Sequence, residues 1–155
     1  MNYAVPLLLL VLTILAWFAI GRGGYAGFGV TQWLLRVLVA LPLLASGFFL
    51  HFVRLDSTTA MMPAGFPAPQ ALVLLTGVLE IAGAVGLFLP RFHRSAALWI
   101  AIMMVAVFPA NIYAAGKVIG GTQMPGVVPR TVAQIVYILL VLLAGYGFPR
   151  LSKRS

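Results

Sequence analysis

The sequence has no cysteine and only two acidic residues, Asp56 and Glu80. The absence of cysteine excludes disulfide exchange, thiolate catalysis and Cys-based zinc or iron–sulfur sites within this chain. No nucleophile–base–acid triad, phosphate loop or pair of carboxylates can be assembled, so we predict no catalytic residues and no stand-alone enzyme. Charged residues make up only 8% of the chain, against about a quarter in soluble domains. A soluble globular enzyme is therefore excluded.

Apolar residues dominate what is present. They form 63% of the sequence, and the mean hydropathy is +1.09. A disordered chain is poor in apolar residues, so disorder is excluded. The net charge is +8, but the basic residues flank apolar runs, where they contact phospholipid headgroups, and we expect no nucleic-acid partner. The composition indicates a small integral membrane protein whose first partner is the lipid bilayer.

Five apolar runs are long enough to cross a membrane, which takes about 17–25 helical residues. They lack the period-2 alternation of membrane β-strands, so we predict an all-α polytopic transmembrane bundle. Gly- and Pro-rich segments separate them, including Gly116–Pro129, which we interpret as irregular connections. The runs are Ala4–Ile20, Trp33–Val53, Ala71–Leu89, Ser95–Ala115 and Thr131–Phe148.

The first run is predicted to be a retained helix rather than a signal peptide. Residues 1–5 contain no Lys or Arg, and no A-x-A cleavage site follows the run. We therefore divide the chain into an N-terminal helix and loop (1–32), a four-helix core (33–148) and a basic tail (149–155).

The distribution of basic residues predicts the orientation. The positive-inside rule favours a plasma membrane, such as a bacterial inner membrane, with the N-terminus outside and the C-terminus in the cytoplasm. The cytoplasmic side would carry Arg22, Arg91, Arg94, Arg150, Lys153 and Arg154, with Arg36 just inside the membrane, and the outer side would carry Arg54, Lys117 and Arg130.

Glu80 is the most informative residue because it lies near the middle of the third run. An ionised side chain at that depth costs on the order of 2.5–3.5 kcal/mol on insertion scales. Its helical neighbours are small (Thr76, Gly77, Gly83 and Ala84), so another helix can approach closely. Glu80 is either a carboxylic acid that locks helices together or a group that carries a proton or binds a ligand, and intramembrane acids favour the second interpretation.

Further polar side chains fall in the outer half of the same bundle. A histidine there can titrate, bind a ligand or donate to a carbonyl group. We predict one ligand-binding pocket that opens outward, with Glu80 at its floor. We predict no metal site, because the adjacent Met61 and Met62 point apart and methionine fills apolar space well. The remaining predicted ligand-binding residues are His51, Arg54, Asn111, Gln134 and Tyr137.

Residues 33–115 resemble the DoxX-like family of membrane proteins. The resemblance is carried by the segment Ser46–Phe52, by Met62-Pro63 with Pro67 and Pro69, by Leu75–Ile81, by Gly86-Leu87 with Pro90 and Arg94, and by Val107–Tyr113. It implies a four-helix membrane core, to which the first helix is an addition. Related groups include small subunits of thiosulfate:quinone oxidoreductases, membrane partners of oxidative-stress enzymes and receptor-assembly chaperones.

Three functions remain open at this point. The first is an accessory or redox-linked membrane subunit that binds a small apolar ligand, a quinone or a lipid, with Glu80, His51 and Asn111 at its polar head. The second is an assembly scaffold that docks another membrane protein, or a second copy of this chain, through small-residue faces. The third, a proton-coupled transporter, is disfavoured because the chain is short, shows no clear inverted repeat and has one buried acid.

Overall fold

The computed structural model describes residues 30–147, and four of its helices are long and apolar enough to span a membrane. This confirms an all-α membrane bundle for four of the five predicted runs. The first run and residues 148–155 lie outside the described part. In chain order the elements are helix α1 (Val30–Phe48), a π-helical turn (Phe49–Val53), the short helix α2 (Leu55–Thr59), helix α3 (Pro69–Gly86), helix α4 (His93–Ala114), strands β1 (Val118–Ile119) and β2 (Thr122–Gln123), and helix α5 (Val127–Tyr146).

The four long helices form a closed ring in the order α1, α3, α4, α5. Helix α1 packs mainly against α3 and α5, and α4 packs against the same two helices. Each helix runs antiparallel to both of its neighbours, as in an up-and-down four-helix bundle. Large apolar side chains such as Leu38, Val105 and Val128 are exposed on the outside, where lipid would cover them. The buried centre contains Val39, Ala40, Leu43, Ala84, Leu87, Ala97, Ile100, Val141 and Ala144.

Glycines bring the helices into close contact. A Cβ atom on Gly47 would lie 3.1 Å from the carbonyl oxygen of Gly77, so α1 and α3 touch at backbone distance. A Cβ atom on Gly83 would lie 2.6 Å from Ile100, and one on Gly86 would lie 2.8 Å from Ala96. Membrane helices have no hydrophobic force between them and associate through such small residues. The glycines of α3 are therefore used inside the bundle.

The connections at one end of the bundle contain two features that the sequence reading did not anticipate. We call this end, formed by residues 49–68 and 115–126, the hairpin end. The first feature is the π-helical turn, in which the Arg54 amide donates to the Phe49 carbonyl group at 2.9 Å. The second is an antiparallel hairpin in the segment interpreted as irregular, because Gly120 (φ +55°) and Gly121 (φ +76°) adopt the left-handed conformation of a two-residue turn.

At the opposite end of the bundle, two polar side chains of α1 donate hydrogen bonds to the last carbonyl groups of α5. Gln32 Nε2 donates to the carbonyl oxygens of Leu143 and Ala144 at 2.9 and 2.6 Å. Arg36, only 1% exposed, donates from Nε to the Ala144 oxygen at 2.9 Å. The last carbonyl groups of a helix lack partners within the helix and carry partial negative charge, which a cation stabilises. These bonds therefore hold α1 against α5.

Candidate functional site

His51 and Glu80 face each other between the end of α1 and the middle of α3. The distance from His51 Nε2 to Glu80 Oε1 is 3.5 Å, and the side chains are 10% and 15% exposed. The structure thus brings together Glu80, the most informative residue of the sequence, and His51, one of the other predicted ligand-binding residues. Neither side chain points freely into lipid.

The local backbone explains how His51 reaches this position. His51 lies at the centre of the π-helical turn, and such wide turns in membrane and soluble helices often occur at functional sites. Gly77 stands opposite on α3, where a Cβ atom would overlap the Cβ and Cγ atoms of His51. The imidazole therefore occupies space that only a glycine leaves open.

The hydrogen bonds of His51 fix where its protons lie. Nδ1 is 2.5 Å from the Val73 carbonyl oxygen, which can only accept, so Nδ1 carries a hydrogen. Thr76 Oγ1 lies 3.1 Å from Nδ1 and donates its own hydrogen to the same carbonyl group at 2.8 Å. Nε2 is thereby directed at the Glu80 carboxyl group.

A hydrogen bond between His51 Nε2 and Glu80 Oε1 requires one proton beyond the hydrogen on Nδ1. With hydrogen on Nδ1, a neutral imidazole would direct its Nε2 lone pair at a carboxylate oxygen, and two acceptors repel each other. A proton on Nε2 or on the carboxyl group removes that conflict. Glu80 Oε2 accepts a further hydrogen bond from Ser46 Oγ at 2.6 Å. We call Ser46, His51, Thr76 and Glu80 the His51–Glu80 cluster.

Asn111 and Gln134 form a separate cluster between α4 and α5. Asn111 Nδ2 donates to Gln134 Oε1 at 2.9 Å, and Gln134 Nε2 donates to the Met104 carbonyl oxygen at 2.7 Å. Met104 precedes Val105, whose carbonyl group has no helical donor because Pro109 lacks an amide hydrogen. The two residues that we assigned to the predicted pocket are thus bonded to each other across the α4–α5 contact.

Among the described residues, the last two predicted residues form no hydrogen bond to the side chains of either cluster. The Tyr137 hydroxyl donates to the Val39 carbonyl oxygen and joins α5 to α1. Arg54 is exposed where the π-helical turn meets α2. The structure therefore brings two of the six predicted residues, His51 and Glu80, together, and places the other four elsewhere in the bundle.

Three polar side chains that contact these residues, those of Ser46, Thr76 and Arg130, were not predicted as site residues from the sequence. Ser46 and Thr76 are short hydroxyl residues of a kind common in membrane helices, although the position of Thr76 one turn before Glu80 was a signal. Arg130 was read only as an outer basic residue, yet its Nη1 atom donates to Asn111 O and Oδ1, both at 3.1 Å. Within residues 30–147, no group of three or more His, Cys, Asp or Glu side chains gathers as metal ligands would.

Comparison with known families matches residues 37–145 to a family described as a domain of unknown function, DUF8561. The chain belongs to this family. The DUF8561 region includes the His51–Glu80 cluster and the Asn111–Gln134 pair, together with most of all four membrane helices. Comparison of the DUF8561 chain with curated proteins and with solved structures finds no match.

Proposed function

We propose that this protein is an accessory, redox-linked membrane subunit that binds the polar head of a small apolar ligand, a quinone or a lipid, at His51 and Glu80. The observation that carries the proposal is the 3.5 Å approach of the imidazole and carboxyl groups inside the membrane-spanning part of the bundle. Ionisable groups at such depth are costly and mark ligand or proton sites by default.

The chemistry of the pair suits a quinone head. Quinone reduction takes up protons, and a proton on Nε2 or on the Glu80 carboxyl group would make the pair a donor to a quinone oxygen. A ligand oxygen that takes the place of Glu80 Oε1 beside Nε2 can accept a hydrogen bond from the imidazole, while the Val73 carbonyl oxygen holds Nδ1 at 2.5 Å. A lipid ester or hydroxyl group would use the same donor.

The position of the cluster supports access from the hairpin end. His51 lies two residues before Val53, where the first described membrane span ends. We propose that this end faces outward, as the positive-inside rule favours, so that the ligand enters from the outer half of the membrane.

The resemblance to the DoxX-like family supports the same site. Ser46, Gly47, His51, Gly77 and Glu80 all belong to the segments that carry the resemblance, and they meet at this one contact. The assembly-scaffold alternative depends on free small-residue faces. Because Gly77, Gly83 and Gly86 contact other helices of the bundle, we favour the ligand-binding function.

Glu80→Gln provides the first test. The amide keeps the shape and an acceptor for Ser46 but cannot ionise, and hydrogen bonds to charged groups contribute about 1.5–3 kcal/mol. We expect retention of a short-chain ubiquinone, measured by native mass spectrometry of the full chain in detergent, to fall about tenfold or more. Asp56→Asn is the matched control, since it neutralises the only other acid, which is exposed on α2.

The outcome separates the ligand classes. A ubiquinone adduct that is lost in Glu80→Gln and kept in Asp56→Asn supports a quinone, and a co-purifying lipid with the same pattern supports a lipid. Equal retention by wild type and Glu80→Gln would contradict the proposal. His51→Gln, which keeps a donor for the Val73 carbonyl group, repeats the test if Glu80→Gln unfolds.

A further inference from the structure

The guanidinium group of Arg130 is anchored on one side only. Arg130 lies in the first turn of α5, and its Nη1 atom donates to the backbone and side-chain oxygens of Asn111, both at 3.1 Å. Asn111 is itself held by Gln134 at 2.9 Å. The orientation of the planar group is therefore fixed by α4 and α5 together.

The other edge of the guanidinium group carries Nε–H and Nη2–H side by side. Nε is buried and has no hydrogen-bond partner among residues 30–147. Nη2 contacts only the thioether sulfur of Met124, at 3.2 Å, and a thioether is a weak acceptor. This edge is the one that accepts two oxygens of a phosphate or carboxylate group in the strong bidentate geometry of arginine.

No acid of the described chain compensates the charge of Arg130. The sequence has two acids, of which Glu80 is bonded to Ser46 and paired with His51, and Asp56 is exposed on α2. The acceptors that Arg130 does have are neutral. The start of α5 adds partial positive charge, because no side chain caps its first amide groups. An anion from outside the chain would offset both the charge of Arg130 and the partial positive charge at the start of α5.

The surroundings of Arg130 are those of a membrane surface. It is the fourth residue of α5, at the hairpin end, and Val127, Val128 and Val132 around it are 49%, 72% and 55% exposed. Exposed valines at the end of a membrane span contact acyl chains. A phosphate group that reaches Arg130 can thus belong to a lipid whose tails lie along α5.

We propose that Arg130 is a binding site for a phosphate group, supplied by an anionic phospholipid, and that Met124 occupies the site when it is empty. A phosphate oxygen displaces the thioether from Nη2 while a second oxygen reaches Nε. Asn111 is a positioning residue that holds the guanidinium plane through Nη1. The site is separate from the His51–Glu80 cluster and does not depend on a ligand there.

Binding of lipids to the full chain in detergent tests the proposal. We would titrate short-chain phosphatidylglycerol, phosphatidylcholine and inorganic phosphate separately and count adducts by native mass spectrometry. Arg130→Lys keeps the charge and removes the two-donor edge, and we expect it to weaken phosphatidylglycerol binding about tenfold. Met124→Leu removes the competing sulfur, and we expect binding to be unchanged or a few-fold tighter.

Lys117→Gln is the matched control, because it removes one positive charge at the same end. Lys117 Nζ lies over the Tyr113 ring, 3.1 Å from its centre. Equal weakening by Lys117→Gln and Arg130→Lys would overturn the proposal, since general charge attraction would then suffice. Weakening by Met124→Leu would also overturn it.

Two further comparisons identify the source of the phosphate. Phosphatidylglycerol binding that inorganic phosphate does not displace at millimolar concentration supports a lipid headgroup. Displacement by inorganic phosphate would overturn the lipid source and assign the site to free phosphate. Equal binding of phosphatidylcholine and phosphatidylglycerol in wild type and Arg130→Lys would overturn the site altogether. Thermal unfolding of each variant verifies that the bundle is intact.

Discussion

Gly77 sets the distance between the two residues of the His51–Glu80 cluster. A Cβ atom there would overlap His51 and lie 3.0 Å from the Gly47 carbonyl oxygen, so Gly77→Ala must separate α1 from α3 or displace the imidazole. Overpacking of this kind costs roughly 1–3 kcal/mol. We expect a lower midpoint of thermal unfolding in detergent, accompanied by weaker ubiquinone retention.

Ala82→Leu is the control for Gly77→Ala. Ala82 is exposed on the same helix, and substitutions at such positions usually change stability by less than about 0.5 kcal/mol. A Gly77→Ala protein as stable as wild type, with unchanged ubiquinone retention, would show that the close approach of α1 and α3 is not required.

At the scale of elements, the π-helical turn determines the direction of the His51 side chain. Deletion of Phe52, which is exposed, removes the extra residue of the turn and restores α-helical spacing from Phe49 to Arg54. The bond from Nδ1 to the Val73 carbonyl group should then be lost. We expect ¹⁵N NMR of labelled histidine to show hydrogen on Nδ1 of His51 in the wild type and a tautomer mixture after deletion.

Two controls make the NMR result specific. His93→Gln leaves His51 as the only described histidine and assigns its signals. Deletion of Ala64, which is exposed in the loop between α2 and α3, shortens the chain nearby without touching the turn. The role of the π-helical turn would be refuted by an unchanged His51 tautomer after Phe52 deletion.

The same elements show how far the sequence predicts the fold. Each of the four described spans was predicted to within about four residues at either end, because run length and composition suffice for that. The π-helical turn leaves no mark in composition and was missed. The hairpin was missed although Gly120-Gly121 between Ile119 and Thr122 is a turn signal, since the neighbouring glycines and prolines favoured an irregular loop.

The candidate site was predictable in part for a different reason. Glu80 and His51 stand out because polar groups are costly in lipid. Their bonds to Ser46, Thr76 and Val73 depend on which helix faces meet. In a membrane the lipid-facing and core-facing sides are both apolar, so the pattern that reveals the inward side of a soluble helix is weak here. For the same reason Asn111 and Gln134 were placed in one pocket with Glu80.

At the scale of the whole molecule, the basic residues predict how the bundle lies in the membrane. Arg91 and Arg94 are exposed at the end of the bundle where α4 begins and α5 ends, and Arg150, Lys153 and Arg154 come after α5 in the sequence. The positive-inside rule then favours a cytoplasmic C-terminus. We expect alkaline phosphatase, which is active only outside the cytoplasm, to be inactive when fused after Ser155 and active when inserted at Gly65.

Gly65 suits the insertion because it lies in the exposed loop between α2 and α3, and a Cβ atom there would meet no other atom within 4 Å. The converse pattern, with activity only at the C-terminus, would reverse the proposed orientation. It would also place the proposed opening of the His51–Glu80 cluster on the cytoplasmic side.

The ring of helices also has a consequence for biosynthesis. Gln32 and Arg36 leave the ribosome early, but the carbonyl groups of Leu143 and Ala144 that receive their hydrogen bonds are made more than 100 residues later. Until α5 is inserted, the Arg36 cation of α1 lies in the bilayer without these acceptors. A charge buried in this way costs several kcal/mol of free energy. Insertion of the last helix therefore supplies the acceptors for a charge that entered the membrane first, and we expect a chain truncated before α5 to be less stable in the membrane than the full chain.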